Sequence, residues 1–201
     1  HLKELRLHSD ISMEDNVFYY TTCGWMMWNW LISSLAIGST IILFDGSPFY
    51  PNNDTLWALI DKYKITHFGI SPKYLDSSKS FKISPKLSYD LNSLKVIFST
   101  GSPLRGENFD YVYQEVKDNV RLSSISGGTD IISCFVLGNP QLPVYRDEIQ
   151  SIGLGMDVQS FNSENKSVKN IEGELICAKP FPSMPISFWE DKNNKKYFES
   201  Y

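Results

Sequence analysis

Apolar residues recur along the chain as short continuous runs separated by stretches of helical period. Val17-Phe18-Tyr19-Tyr20 reads as a strand that ends at Thr21-Thr22-Cys23-Gly24. Trp25 to Ile37 is apolar on nearly every side, which predicts a buried helix stopped by Gly38. Thr40-Ile41-Ile42-Leu43-Phe44 is unbroken, the pattern of a strand covered on both faces. Asp45-Gly46-Ser47-Pro48 turns the chain, and Asp54 is placed to cap a helix reaching about Tyr63. Ile65–Ile70 predicts the next strand, closed by Ser71-Pro72, then a helix to about Lys79 and a surface loop over Phe81–Asn92. Leu94–Ser99 is a further strand and Leu104–Asp118 a helix, followed by a short apolar lead, Val120–Leu122.

Strands alternating with helices of these lengths predict an α/β fold, a mostly parallel sheet covered by helices on both faces. After Pro143 the character changes. Val158–Phe161, a polar turn region over Asn162–Asn170, and Glu174–Cys177 predict β-structure without intervening helices. We therefore expect an α/β part over residues 1–144 and the start of a β-rich subdomain, incomplete, over 145–201. Trp189 to Tyr201 is polar and aromatic with no closing element, and the chain opens without Met, so a piece of a longer protein is expected.

Composition narrows the function classes. The chain has 201 residues, 42% hydrophobic and 21% charged, the values of a globular protein with a real core. A net charge of −4 argues against nucleic acid or an anionic membrane as the main partner. No apolar run reaches membrane-spanning length. Cys23, Cys134 and Cys177 are odd in number and widely spaced, which predicts reduced thiols rather than disulfides or a zinc site. His1, His8 and His67 lack metal-ligand spacing and are expected to be structural or solvated. Asp10, Glu14 and Asp15 read as a solvated face, as do Lys62, Lys64 and Lys73.

In an α/β sheet, ligands sit beyond the carboxyl ends of the strands. Three stretches rich in small or hydroxylated residues fall there: Thr21–Trp28, Ser99-Thr100-Gly101-Ser102-Pro103, and Ser123-Ser124-Ile125-Ser126-Gly127-Gly128-Thr129-Asp130. Paired glycines let a backbone approach a ligand closely. Thr129 can donate to a phosphate oxygen, and Asp130 can hold a hard cation such as Mg²⁺. The same residues also suit a strand-to-loop turn capped by Thr129 and Asp130, and the residues by themselves leave both readings open. Among Trp25, Trp28 and Trp30, Trp25 begins the helix beside this region and is best placed to face a ligand. No GxSxG elbow, HExxH or Walker A loop is present.

Read together, Tyr20-Thr21-Thr22-Cys23-Gly24-Trp25-Met26-Met27-Trp28-Asn29-Trp30, Asp45-Gly46-Ser47-Pro48, Ser99–Pro103 and Ser124–Cys134 resemble the acetoacetyl-CoA synthetase branch of the adenylate-forming acyl-CoA synthetase superfamily. Pro143-Val144-Tyr145, Glu172-Gly173-Glu174-Leu175 and Phe188-Trp189 extend the likeness over essentially the whole chain. The resemblance implies the N-terminal domain fold of those enzymes and an acetoacetate–CoA ligase that uses ATP, Mg²⁺ and CoA. In such a ligase a carboxylate attacks the α-phosphate of ATP, and CoA thiol then displaces AMP from the acyl-adenylate. By motif, Gly101, Ser102 and Pro103 line one face of adenine, and Ser124 and Ile125 lie at its edge. Ser126 and Gly128 join these nucleotide-binding positions, with Thr129 at the phosphate and Asp130 at the metal, the latter two being the catalytic pair. Trp25, Met27, Thr100 and Gly127 match acyl-pocket positions.

Three departures from the family pattern stand out. Asp130 replaces the usual Glu, Ser126 replaces an aromatic that stacks on adenine, and Gly127 stands where acetate-specific relatives have Trp. The glycine is expected to leave room for a longer acid, so that Gly127→Trp would shift preference towards acetate. The resemblance further implies a cytosolic enzyme feeding ketone-body carbon into lipid synthesis, with a phosphate loop before His1 and a lysine-bearing domain after Tyr201. The segment alone is then expected to be inactive. A synthetase for another short or medium-chain acid, and a non-catalytic adenylate-binding module, are the alternatives.

Overall fold

The computed structural model describes residues 1–200. Five parallel strands form the central sheet: β1 Asn16–Tyr19, β2 Thr40–Ile42, β3 His67–Ile70, β4 Val96–Ser99 and β5 Arg121–Ser124, in the order β2-β1-β3-β4-β5. The strands are short and their side chains alternate between two cores, as the pleat requires. Phe18, Phe68, Ile70, Ile97 and Leu122 face one core with α2 (Thr55–Tyr63), α3 (Pro72–Ser80) and α5 (Gly106–Tyr111). Val17, Tyr19, Val96 and Phe98 face the other, against α1 (Met26–Ser33). Leu56, Trp57 and Ile60 form the buried stripe of α2, and the Trp57 indole donates to Ser78 Oγ of α3 at 3.1 Å. Chain order reverses between β1 and β3, and that switch point lies beside the cavity described below.

Two antiparallel sheets follow. The first contains β6 Ser126–Gly128, β7 Ser133–Leu137 and β8 Ser151–Ile152; the second contains β9 Val158–Phe161, β10 Ser167–Val168 and β11 Glu174–Cys177. Short helices α4 (Pro85–Ser88) and α6 (Lys195–Ser200) complete the set. No helix among the described residues is long and apolar enough to cross a membrane.

Several expectations need correction. The stretch predicted as a helix buried all round is α1 followed by a 3-10 turn, Ser34–Ile37, ended by Gly38 at φ 88°. Only one face is covered, so Ile32 and Leu35 are exposed. β2 is an edge strand, half-buried, and Leu43 lies beyond its end in the open. The expected loop 81–92 contains α4, and the expected helix 104–118 starts at Gly106 and ends in a π-helical turn, Val112–Val116. The tail, read as lacking an element, carries α6. Asp54 does precede α2 but makes no cap bond; its carboxylate accepts from Tyr89 Oη at 2.6 Å.

Asp15 is the largest electrostatic correction. It is buried, not solvated, and accepts from the Ser12 amide and hydroxyl at 2.8 Å and from Lys95 Nζ at 2.8 Å. Burial opposes its charge, but these donors prevail and hold its pKa down at about 2. His67, beside it at 3.7 Å, donates from Nε2 to the Ser9 carbonyl at 3.1 Å, and burial lowers its pKa to about 4. His8 donates from Nδ1 to the Gly138 carbonyl at 2.8 Å and accepts the Leu154 amide at Nε2 at 3.0 Å, so both rings serve structure.

Candidate functional site

A cavity of about 860 Å³ opens at the carboxyl ends of β1, β3, β4 and β5. That size suits a small-molecule or nucleotide ligand. Its walls are the loops that follow those strands, together with the start of α1 and the β6–β7 hairpin. Tyr20 continues β1, its amide donating to the Gly69 carbonyl at 2.8 Å. Its hydroxyl donates to the Gly46 carbonyl at 3.1 Å, fixing the Asp45–Gly46 turn at the rim.

Thr100 leaves β4 with its hydroxyl donating to the Ile125 carbonyl at 2.8 Å, while the Ile125 amide donates to Ser99 at 2.9 Å. These bonds pin the post-β4 and post-β5 loops together. Gly101 has φ +99° and open space where a Cβ would stand, a backbone conformation that L side chains rarely adopt. The stretch 101–103 therefore turns flat along the wall.

The hairpin wall is built differently from the loop that the sequence predicted. The strand ends at Ser124, Ser126–Gly128 is itself a strand, and it pairs antiparallel with β7 through Gly127↔Cys134 and Gly128↔Ser133. A register shift interrupts the pairing between Ser126 and Gly127. At Gly127 a Cβ would stand 2.2 Å from the Ser133 carbonyl oxygen and 2.7 Å from Cys134 Cα, both backbone atoms. A glycine is required here by the close approach of β7. At Gly128 a Cβ would stand 2.7 Å from Asp130 Oδ1, so this glycine lets the carboxylate fold back over the strand.

Glu4 and His1 hold the hairpin. Glu4, fully buried on a π-helical turn (Glu4–His8), accepts the Cys134 amide at 3.1 Å, the Trp30 indole at 3.0 Å and the Ser133 hydroxyl. The His1 ring lies 2.6 Å from the Ile132 carbonyl and 2.7 Å from Ser33 Oγ of α1. Burial, with the Glu4 carboxylate nearby, pushes the Cys134 thiol well above its ordinary pKa and keeps it protonated.

Of the thirteen positions singled out from the sequence, Trp25, Met27, Thr100, Gly101, Ser102, Pro103, Ser124, Ile125, Ser126, Gly127, Gly128 and Thr129 line this cavity. Asp130 is exposed and lies next to the wall rather than in it. Trp25 precedes α1 in extended conformation and is 64% exposed, whereas Trp30 is fully buried behind it. The sequence reading missed Tyr19, Phe44, Ile70, Cys134 and Ile149. Tyr19 carried a signal, since an alternating strand places it on the face opposite Phe18, the face of Val17 and α1. Ile149 carried none.

The profile of the AMP-binding enzyme family matches residues 2–184. Over all 201 residues the chain is 50% identical to acetoacetyl-coenzyme A synthetase of Rhizobium meliloti (strain 1021), of which it covers 31%. It is likewise 50% identical to acetoacetyl-CoA synthetase of Danio rerio and 47% to that of Mus musculus, covering 30% of each. The chain thus spans about a third of the length of these relatives. Acetoacetyl-CoA synthetase from Streptomyces lividans superposes over the whole chain and 32% of its own, with TM-score 0.93 and 40% identity. Anthranilate CoA ligase AuaEII in complex with anthranoyl-AMP superposes over 96% of the chain and 36% of its own, with TM-score 0.79 and 17% identity, a likeness of fold. With a five-stranded parallel sheet, a cavity at its carboxyl end and a family match over nearly its whole length, the chain belongs to the AMP-binding enzyme family.

Proposed function

We propose that the chain forms the nucleotide- and acyl-binding wall of an acetoacetate–CoA ligase. The observation that carries this reading is the cavity itself, where the post-β4 strip and the glycine hairpin face each other beside Trp25 and Met27. In this reading Gly101, Ser102 and Pro103 lie against one face of adenine, with Ser124, Ile125, Ser126 and Gly128 along its edge. Thr129 donates to a phosphate oxygen. Trp25, Met27, Thr100 and Gly127 border the acid, mostly with apolar surface.

The chemistry asks for positioning and charge stabilisation rather than a protein nucleophile. The acetoacetate carboxylate attacks the α-phosphate of ATP, pyrophosphate leaves, and CoA thiol then displaces AMP from the acyl-adenylate. Asp130 would hold Mg²⁺. The donor set fits: Thr129 lines the cavity and the exposed Asp130 carboxylate is the next residue, a hard oxygen donor for an ion that would take its other ligands from phosphates and water. When bound, Mg²⁺ supplies neutralisation of phosphate charge. We place the division of the chain near residue 144, with 1–144 as the α/β part of the AMP-binding domain and 145–201 as a β-rich subdomain. A cytosolic ligase feeding ketone-body carbon into lipid synthesis is the physiological form of this reading, and the 201 residues alone are expected to be inactive.

The test is ATP–pyrophosphate exchange by the protein that carries this chain, offered acetate, acetoacetate, butyrate and hexanoate separately. Exchange strongest with acetoacetate supports the reading, and a different winner keeps the chemistry while changing the acid. One observation favours a second reading, a non-catalytic adenylate-binding module: the carboxylate expected at the metal lies outside the cavity wall. AMP binding without exchange on any acid would establish that module and defeat the ligase.

A further inference from the structure

The loop 129–132 joins β6 to β7 between the paired residues Gly128 and Ser133, and it carries Thr129, which lines the cavity, and Asp130 beside it. The Ile132 amide closes the loop by donating to the Thr129 carbonyl at 3.2 Å. Ile132 is out of place there on two counts. Its φ is +47°, a left-handed conformation that β-branched residues rarely adopt, and its side chain is 38% exposed, so burial does not offset the strain. β6 brings only serine and glycine to the wall, which gives the loop no bulky anchor on that side. His1 grips residue 132 from outside the loop. Its Nε2 donates to the Ile132 carbonyl at 2.6 Å, since a carbonyl can only accept. Its Nδ1 lies 2.7 Å from Ser33 Oγ of α1, and that hydroxyl also reaches the Asn29 carbonyl within α1 at 2.7 Å. A hydroxyl can give or take a proton in such a pair, so the bridge forms with the ring neutral or charged. The first segment of the chain thus holds the hairpin twice, Glu4 on β7 and His1 on the loop.

Resting on the ligase reading above, we propose that His1 is a positioning residue for the attack on phosphate. By bridging Ile132 to Ser33 it ties the loop that presents Thr129 and Asp130 to α1, the helix whose first turn brings Met27 to the cavity. His1 is not among the residues that line the cavity, and it acts through its two partners. Attack requires the acid carboxylate and the α-phosphate to be held in near-attack geometry, and a misplacement of about 1 Å slows such a step strongly. Releasing the loop lets the phosphate side drift while the walls around the acid keep their shape. The loss therefore falls on turnover, not on the binding or choice of acid.

The test uses the protein that carries this chain with His1→Phe, which keeps a flat ring without either nitrogen, and with His1→Gln, whose amide can still donate to the Ile132 carbonyl. ATP–pyrophosphate exchange is measured on acetoacetate and butyrate with kcat and KM separated, and unfolding is followed by scanning fluorimetry. His1→Phe is expected to lower kcat about 3- to 10-fold on both acids. KM for the acid and the ratio between acids are expected to hold, with the unfolding midpoint within about 4 °C of the wild type. His1→Gln is expected to recover most of the lost kcat. An unchanged kcat in His1→Phe overturns the assignment, and so does a rise in acid KM at constant kcat. A Gln variant no better than the Phe variant overturns it too. If His1→Phe does not fold, Ser33→Ala cuts the other end of the bridge: a loss of kcat supports the proposal and a wild-type kcat overturns it. If the wild type exchanges with neither acid, the ligase reading falls and carries this one with it. If the wild type exchanges and the variants keep its kcat, only the role of His1 falls.

Discussion

Gly127→Ala is the perturbation that most sharply separates a structural glycine from a pocket-sizing one. The added Cβ would stand 2.2 Å from the Ser133 carbonyl oxygen and 2.7 Å from Cys134 Cα, against an ordinary contact of 3.4 Å or more. Neither neighbour is a side chain that can swing aside, so β6 and β7 must separate locally by about 1 Å on a strand spacing of about 4.8 Å. Overpacking of this kind costs about 1–3 kcal/mol, and loosening the Gly127–Cys134 and Gly128–Ser133 pairs adds about 1 kcal/mol. We expect a total loss of about 2–4 kcal/mol. It would be read as a lower denaturant midpoint with unchanged slope in the protein carrying this chain. Exchange activity should fall on all acids alike, because the wall that carries Thr129 moves. The reasoning is refuted if the variant melts like the wild type and shifts preference towards acetate. That result would mean a side chain at 127 points into the cavity, and Gly127→Trp would then regain its value as a pocket probe.

Other predictions follow from the same contacts. His67 is held neutral by burial, its pKa lowered from 6.5 to about 4. The stability this represents is complete above pH 6.5 and declines as pH falls through about 4, by about 3 kcal/mol in total. Asp15 adds a second decline between pH 3.8 and about 2. Denaturant titrations from pH 7.5 to 4.5 should show the first slope, and His67→Gln should flatten it. Glu4→Ala removes the shared acceptor of the Trp30 indole, the Ser133 hydroxyl and the Cys134 amide, at about 3 kcal/mol or more. In a background with Cys23 and Cys177 changed to Ser, Cys134 should then react with a thiol reagent that barely touches it in the parent; equal reaction rates would refute the clamp. Gly69→Ala drives a Cβ to 2.1 Å from the Tyr19 ring and should cost about 1–3 kcal/mol. Added to Tyr19→Ala it should cost much less, and simple additivity of the two would count against their contact.

The alternation of strand and helix was legible because it is local. Phe68 and Ile70, or Phe98 and Val96, announce their faces by spacing two. The three small-residue stretches were legible because a topological rule places the ends of parallel strands together whatever the details. The edge position of β2 was not, since an apolar run such as Thr40–Phe44 looks the same whether or not a neighbour covers it. Ser126–Gly128 has no strand pattern at all and becomes one only because β7 arrives beside it. Asp15 sits in a sequence that reads as a solvated acidic face, and its partner Lys95 lies eighty residues away.

Three of the buried polar residues missed by pattern bind the first segment of the chain to the sheets, and this bears on how the cavity is specified. Glu4, His8 and Ser9 meet β7, the Gly138 carbonyl, and His67 with Arg121. An apolar side chain at position 4 would fill the same space, but it would leave the Ser133 hydroxyl, the Cys134 amide and the Trp30 indole without their acceptor. The Glu4 carboxylate accepts all three, so it fixes the start of β7 against α1 and the first segment of the chain. β6 in turn pairs with β7 through those same two residues, Gly127 with Cys134 and Gly128 with Ser133. One strand of the cavity wall is therefore anchored from outside the cavity, by a carboxylate some 130 residues earlier in the chain.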